Sequence, residues 1–276
     1  MNLKIDTRFV HLGAIANRVL IEKLRYPAGF CLGILAPIII YLPFSFLARF
    51  IFSSQISPGS PNELMLRSYI FIGILVLSFF GNIMNDIGFY LLNERMHGTL
   101  LINYSILRSV NTLLRGVSIA VIGLQLLNSI LLLLAGYFLL GIVFKADLLI
   151  LLTVSAISVF CIGEMAVLYA YIILFANERG TIHRIFTGTI VPLLCGISFS
   201  AALLPSPLSI VSFLIPITHI ATALRYALTG IGELSSVLKV NLPCLVCFVL
   251  LLFFVNQRFH DIVVTRFRTH GKWEHY

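Results

Sequence analysis

Charge is the first thing this chain lacks. Only 11% of its 276 residues are charged, where soluble domains carry roughly a quarter. With 59% of positions hydrophobic, that scarcity excludes an ordinary soluble domain and points to a chain that lives in lipid. Catalytic signatures are missing too. No Gly-x-x-x-x-Gly-Lys-[Ser/Thr] phosphate loop occurs, so the chain is not expected to hydrolyse ATP by itself. There is no His-Glu-x-x-His, no Gly-x-Ser-x-Gly elbow and no paired-carboxylate signature, and no residue is assigned as catalytic. Metal-ligand spacing is poor. Cys244-x-x-Cys247 falls inside an apolar run, where two cysteines act as small hydrophobes, and His219 has no second ligand at a useful spacing. No metal or cofactor is expected on this chain. Residues 1–27 lack the short apolar core and small-residue cleavage site of a secretory leader, so the first span is expected to insert uncleaved.

What is abundant is long apolar sequence. A helix needs about 20 such residues to cross ~30 Å of hydrocarbon. Six stretches qualify: 28–52, 68–92, 114–141, 147–176, 185–204 and 238–256. The expected fold is an all-α polytopic membrane protein of six transmembrane helices, a single domain over 1–276. Placing the N-terminus in the cytoplasm puts 14 of the 19 Lys and Arg on cytoplasmic segments, as the positive-inside rule requires. Both termini are then cytoplasmic. The net charge of +8 faces anionic lipid rather than nucleic acid.

Within 8–25, Phe9, Leu12, Ala16, Leu20 and Leu24 share one helical face, with His11, Arg18, Glu22 and Arg25 opposite. This predicts an amphipathic helix in the cytoplasmic interface, within an N-terminal segment 1–27. Pro37 and Pro43 should kink the first span. The turn-rich stretch 53–64 reads as an external loop.

Polar residues concentrate in residues 89–108, between two apolar runs. Glu94 and Arg95 end one span, Gly98 relaxes the backbone, and Thr99 is placed to cap a helix over Leu100–Leu107. Leu100, Tyr104 and Leu107 give that helix one apolar face. Such a helix suits docking at the membrane surface; an ordinary cytoplasmic loop is the plainer alternative. A similar string, Asn177-Glu178-Arg179-Gly180-Thr181, follows the fourth predicted span 84 residues after Asn93-Glu94-Arg95. Duplication and convergence on one boundary chemistry are both open, the lack of obvious identity between the flanking spans favouring convergence, and Glu178 and Arg179 are a second candidate contact.

Inside the spans, Asn82 and Asp86 share a helix face, and Glu164 lies near the middle of the fourth. Ionisable groups at that depth must pair, protonate or face a cavity. They are candidates either for a substrate path or for interhelical polar contacts. Before the last span, Ile210 to Gly230 is apolar but broken by Pro216, His219 and Arg225, which predicts a helix that dips into the outer leaflet and returns.

Two of these motifs carry a resemblance. Glu94-Arg95-x-x-Gly98-Thr99-Leu100 resembles the segment after the second span of ABC-2 type transporter permeases. Pro216-Ile-Thr218-His219 followed by Leu224-Arg225 and Gly230 is similar to that family's segment before the last span. The resemblance implies that 93–108 is a coupling helix contacting an ABC ATPase subunit through Glu94, Arg95, Gly98, Thr99, Leu100, Tyr104 and Leu107. It implies that 205–236 is re-entrant at the outer face, while 257–276, with Arg258, Arg266, Arg268 and Lys272, reads from its own residues as a basic cytoplasmic tail. It further implies two ATPase copies that bind ATP and Mg, a second permease copy or a paralogue, and residence in a bacterial inner membrane. The function implied is export of an amphiphile: a drug, peptide, lipid or lipid-linked glycan. The family often has an acidic residue after Gly-Thr-Leu, where this chain has Leu101. An ion-coupled transporter using Glu164, and a membrane-embedded enzyme, are the competing readings.

Overall fold

The computed structural model describes residues 7–51, 61–107, 109–176, 180–197 and 204–270. All regular structure among them is helical. In chain order the helices are α1 (Thr7–Arg25), α2 (Pro27–Ile51), α3 (Pro61–Gly88), α4 (Tyr90–Met96), α5 (Leu100–Leu107), α6 (Val110–Leu140) and α7 (Leu148–Ala176). Then come α8 (Thr181–Ile185), a π-helical turn (Phe186–Ile190), α9 (Val191–Leu194), α10 (Ser206–Phe213) and α11 (Pro216–Thr229). A short α12 (Leu234–Ser236) passes through a second π turn (Val237–Asn241) into α13 (Leu242–His270).

Four helical runs are long and apolar enough to cross a membrane: Asn62–Met96, Val110–Leu140, Leu148–Ala176 and Leu234–Arg266. They are five if α10 and α11, which meet at 82°, are counted as one broken span. The apolar stretch of α2, Cys31–Leu47, is shorter. Where the sequence predicted one span over 185–204, the helical run ends at Leu194 and Gly196 turns to φ +65°; residues 198–203 lie outside the described set. Of the loop expected over 53–64, residues 53–60 lie outside the described set and 61–64 belong to α3, which begins at Pro61 with the Glu63–Arg67 ion pair (2.8 Å) on its first turns.

α3 is the centre. Phe71, Ile72, Phe80, Ile83, Met84 and Ile87 are fully buried against α2, α6, α7 and α11. α13 lies along α7 and continues as one helix to His270, carrying Arg266 over the Phe175 ring at 5.2 Å.

α1 packs along α6 through Ala16 and Val19. Gly116 makes the approach close, because any Cβ there would strike Ile15. Leu24, on the apolar face named from sequence, is 61% exposed and lines a cleft.

Candidate functional site

The sharpest polar arrangement is the corner between α4 and α5. α4 closes in a Schellman turn: Gly98 takes φ +70°, its N–H reaches the Arg95 carbonyl (3.2 Å), and Thr99 N–H reaches the Glu94 carbonyl (2.9 Å). Glycine is needed because a side chain resists that backbone conformation. Thr99 sits where a cap should, but its hydroxyl donates backwards to the Glu94 carboxylate. Asn103 Nδ2 donates to Glu94 Oε2 at 2.6 Å, and Arg18 of α1 reaches Oε1 at 3.1 Å. Glu94 is buried and Arg95 half-buried. One carboxylate thus ties the end of the α3–α4 run, the start of α5 and the N-terminal helix together.

α5 has two apolar faces. Leu100, Tyr104 and Leu107 pack against the core, with Leu100 only 1% exposed. Leu101 (41%), Ile102 (57%) and Ile106 (62%) point outward. The face named from sequence is therefore the inner one, which seats the helix on its neighbours. The second stripe was missed because a helix of eight residues, six of them apolar, does not declare which side is covered.

Glu178 and Arg179 lie outside the described residues. The glycine that follows them, Gly180, adopts φ +91° ahead of α8, as Gly98 does ahead of α5. Behind it His183 stacks edge-on to Phe89 (5.3 Å between ring centres) and near Tyr169 (6.0 Å). Burial lowers its pKa below the ordinary histidine value.

Asn82 and Asp86 face a cleft between α1, α2, α3 and α6. Lys23 of α1 pairs with Asp86 at 2.7 Å. Asn82 donates to Gln125 of α6 at 3.2 Å, and Asn128 lies one turn beyond. Gln125 and Asn128 were not singled out from sequence. Their signal was two carboxamides three residues apart in an apolar run, and a search for carboxylates passes over amides.

Glu164 belongs to a different cluster. Asn256 of α13 donates to its Oε2 (2.6 Å) and its carbonyl (2.9 Å), and Arg115 of α6 stands 3.7 Å from Oε1. Arg115 also lies 5.5 Å over the Phe253 ring. These contacts join α6, α7 and α13, which is the work of an interhelical tie.

Pro216, His219 and Arg225 are all buried on α11. Pro216 opens the helix after the 82° bend, and Thr218 Oγ1 closes that bend on the Ser212 carbonyl (2.7 Å). His219 Nε2 meets the Phe213 carbonyl and Nδ1 meets Asn241 Oδ1, both at 2.9 Å. Two acceptors on one neutral ring conflict, while Asn241 Nδ2 is buried without a partner among the described residues. Turning the Asn241 amide over satisfies both groups, with Nε2 carrying the proton. Arg225, 4% exposed, donates to the carbonyls of Ile197 (2.8 Å) and Tyr69 (3.3 Å), with its guanidinium 3.6 Å over the Tyr69 ring. Its partners are carbonyls and an aromatic face, so it clamps α3, α11 and the segment after α9.

Among the described residues no group of three or more His, Cys, Asp or Glu converges as for a metal. Asp86 and His219 have separate partners on different elements. The sequence matches no protein-family model and no curated protein. What stands established is an all-helical chain with four to five helices long and apolar enough for a multi-pass membrane protein.

Proposed function

We propose that this chain is the permease subunit of an ABC-2 type exporter, moving an amphiphilic substrate with ATP hydrolysed on a separate subunit. On this reading α2, the α3–α4 run, α6, α7, the segment 185–204 and α13 supply six spans. Both termini are cytoplasmic and α10–α11 form a re-entrant hairpin at the outer face. Two permeases, identical or paralogous, pair with two ATPases that hold ATP and Mg, in a bacterial inner membrane.

One observation carries the reading: α5, seated inward by Leu100 and tied at its start by Glu94, presents Leu101, Ile102 and Ile106 to the outside between two long apolar helices. Exposed aliphatic side chains on a helix held from behind are what a coupling contact needs. A push on the helix passes through Glu94 to α1 and the α3–α4 run instead of bending a loop. The apolar Leu101, where the family often carries an acid, fits docking by packing more than by charge.

Glu164 is held by Asn256 and Arg115, which speaks against its use as an ion-coupling group, and no observation favours a membrane enzyme. The test is purification of the tagged chain in a mild detergent, with partners identified by mass spectrometry. Recovery of an ATPase bearing a phosphate loop is expected, with loss on Ile102→Glu, Ile106→Glu double substitution. Absence of any such ATPase under conditions that preserve complexes would overturn the proposal.

A further inference from the structure

The cleft that Asn82 and Asp86 face, ≈ 730 Å³ in volume, has a neighbour of ≈ 400 Å³ on its α4 side. Both follow the same two helical runs. Along α3 and α4 the first reaches from Ile74 to Asp86 and the second from Asn85 to Asn93. Along α6 the first takes Asn128 to Leu124 and the second Val121 to Val117. End to end they make one groove. Ile74 and Asn93 stand 19 positions apart, about 28 Å at the rise of a helix, which is close to the ~30 Å of a hydrocarbon core. Glu22, Lys23 and Asp86 line both cavities. The partition between them is therefore the place where Lys23 crosses to Asp86 at 2.7 Å.

Lys23 sits on a corner that packs against little. α1 is seated on α6 by Ala16 and Val19. α2 meets α6 at Gly33, where an added Cβ would come 3.0 Å from the Asn128 amide nitrogen. Between those two seats, Pro27 and Phe30 aside, every residue from Ile21 to Leu32 is exposed. The Lys23–Asp86 contact is itself open, with side chains 44% and 17% exposed. A pair of that kind holds weakly and lets go readily. Glu94, by contrast, is buried and held by three donors.

We propose that the α1–α2 corner is a flap over the groove along α3 and α6, and that Lys23–Asp86 is its latch. With the latch closed the two cavities are separate. When Lys23 leaves Asp86, the corner swings about its seats at Val19 and Gly33. The cavities then join into one passage, from the α4 end to the aliphatic walls at Ile40 and Ile74. Asn82, half-buried and four positions from Asp86, keeps the wall polar just past the latch. A hydrophilic head group can enter there while its tail stays in lipid beside α2. That the molecule entering is the exported amphiphile rests on the function proposed above; the latch itself does not.

The test uses the full-length protein in nanodiscs of zwitterionic lipid, with a thiol reporter in each cavity: Ser78→Cys beyond the latch and Asn93→Cys before it. The reagent is trimethylammonium-ethyl methanethiosulfonate, whose fixed charge keeps it out of the bilayer. Labelling is read site by site by peptide mass spectrometry, so the native cysteines do not interfere. Lys23→Gln should speed labelling of the Ser78→Cys thiol about two- to fivefold, the factor by which an exposed ion pair biases an equilibrium, and leave Asn93→Cys unchanged. Exchanging the charges, Lys23→Asp with Asp86→Lys, should restore the slow rate, which a merely loosened fold would not do. Raising the salt should speed the Ser78→Cys thiol relative to the Asn93→Cys thiol with Lys23 and Asp86 intact, because salt screens a half-exposed pair. A Ser78→Cys rate that ignores Lys23, salt or the charge exchange overturns the proposal. Labelling needs neither ATP nor a partner, so its failure removes the flap and leaves the exporter standing. A latch that opens as expected, with no ATPase recovered alongside the chain, would uphold the flap and count against the exporter.

Discussion

Glu94 accepts hydrogen bonds from Thr99, Asn103 and Arg18 while almost wholly enclosed. Removing the carboxylate leaves the half-buried Asn103 amide without its acceptor and Thr99 with the Glu94 carbonyl alone (3.1 Å), which costs about 1–2 kcal/mol. Glu94→Ala should lower the thermal unfolding temperature clearly. Arg18→Ala should do far less, about 0–1 kcal/mol, because the Arg18 side chain is 54% exposed and water screens the pair. A larger loss from Arg18 than from Glu94 in the same melting assay would show that the hub is wrongly assigned. His183 gives a second residue-scale expectation. Burial lowers its folded pKa beneath the ordinary 6.5, so the unfolded chain takes up the proton first as the medium acidifies. The stability linked to it is present above about pH 6.5 and lost as pH falls through the folded pKa. Melting between pH 7.5 and 5.5 should show a smaller loss for His183→Phe than for the wild type, and equal losses would remove His183 from the account.

At the scale of the element, α5 separates seating from docking. Leu100→Ala empties a filled site and should destabilise by about 2–5 kcal/mol. Ile102→Glu and Ile106→Glu lie on the open face and should change stability by under about 0.5 kcal/mol while reducing ATPase recovery. Recovery that survives both open-face changes would mean α5 is not the contact. The existence of this helix was legible in sequence, because Gly98, Thr99 and the apolar run after them are local signals. Its orientation was not. Which stripe is covered depends on α4 and α6, and nothing between residues 100 and 107 encodes them. The same limit hid the pairing of α1: Arg18 read as part of the polar face of an amphipathic helix and Lys23 was not singled out, yet their partners lie 76 and 63 residues away. Pro216 announced the bend before α11 correctly, being a local breaker, whereas the end of helix at Leu194 lies in a run with no charge to mark it.

For the whole molecule, the ties are spread over three places: Glu94 at one corner, Glu164 with Asn256 between α6, α7 and α13, and Arg225 between α3 and α11. Asn256 is 1% exposed. Asn256→Ala should cost about 1–3 kcal/mol in the folded membrane protein and leave ATPase recovery intact, since it lies far along the chain from α5. Loss of recovery at unchanged stability would instead place α13 within the docking pathway. The assembly should weigh as two permeases with two ATPases by native mass spectrometry, and a single permease per complex would contradict the pairing.

The reach of α1 also bears on how the chain is made. Lys23 and Arg18 leave the ribosome 63 and 76 residues ahead of Asp86 and Glu94. Until those carboxylates follow, anionic headgroups attract the cations of α1, each worth about 1 kcal/mol at the surface. On the proposed topology, with a cytoplasmic N-terminus, the nascent helix is thereby moored on the side where it was synthesised while the first hairpin inserts. The same two side chains then exchange lipid for protein once α3 and α4 arrive, so topology is set first and the corner is locked afterwards.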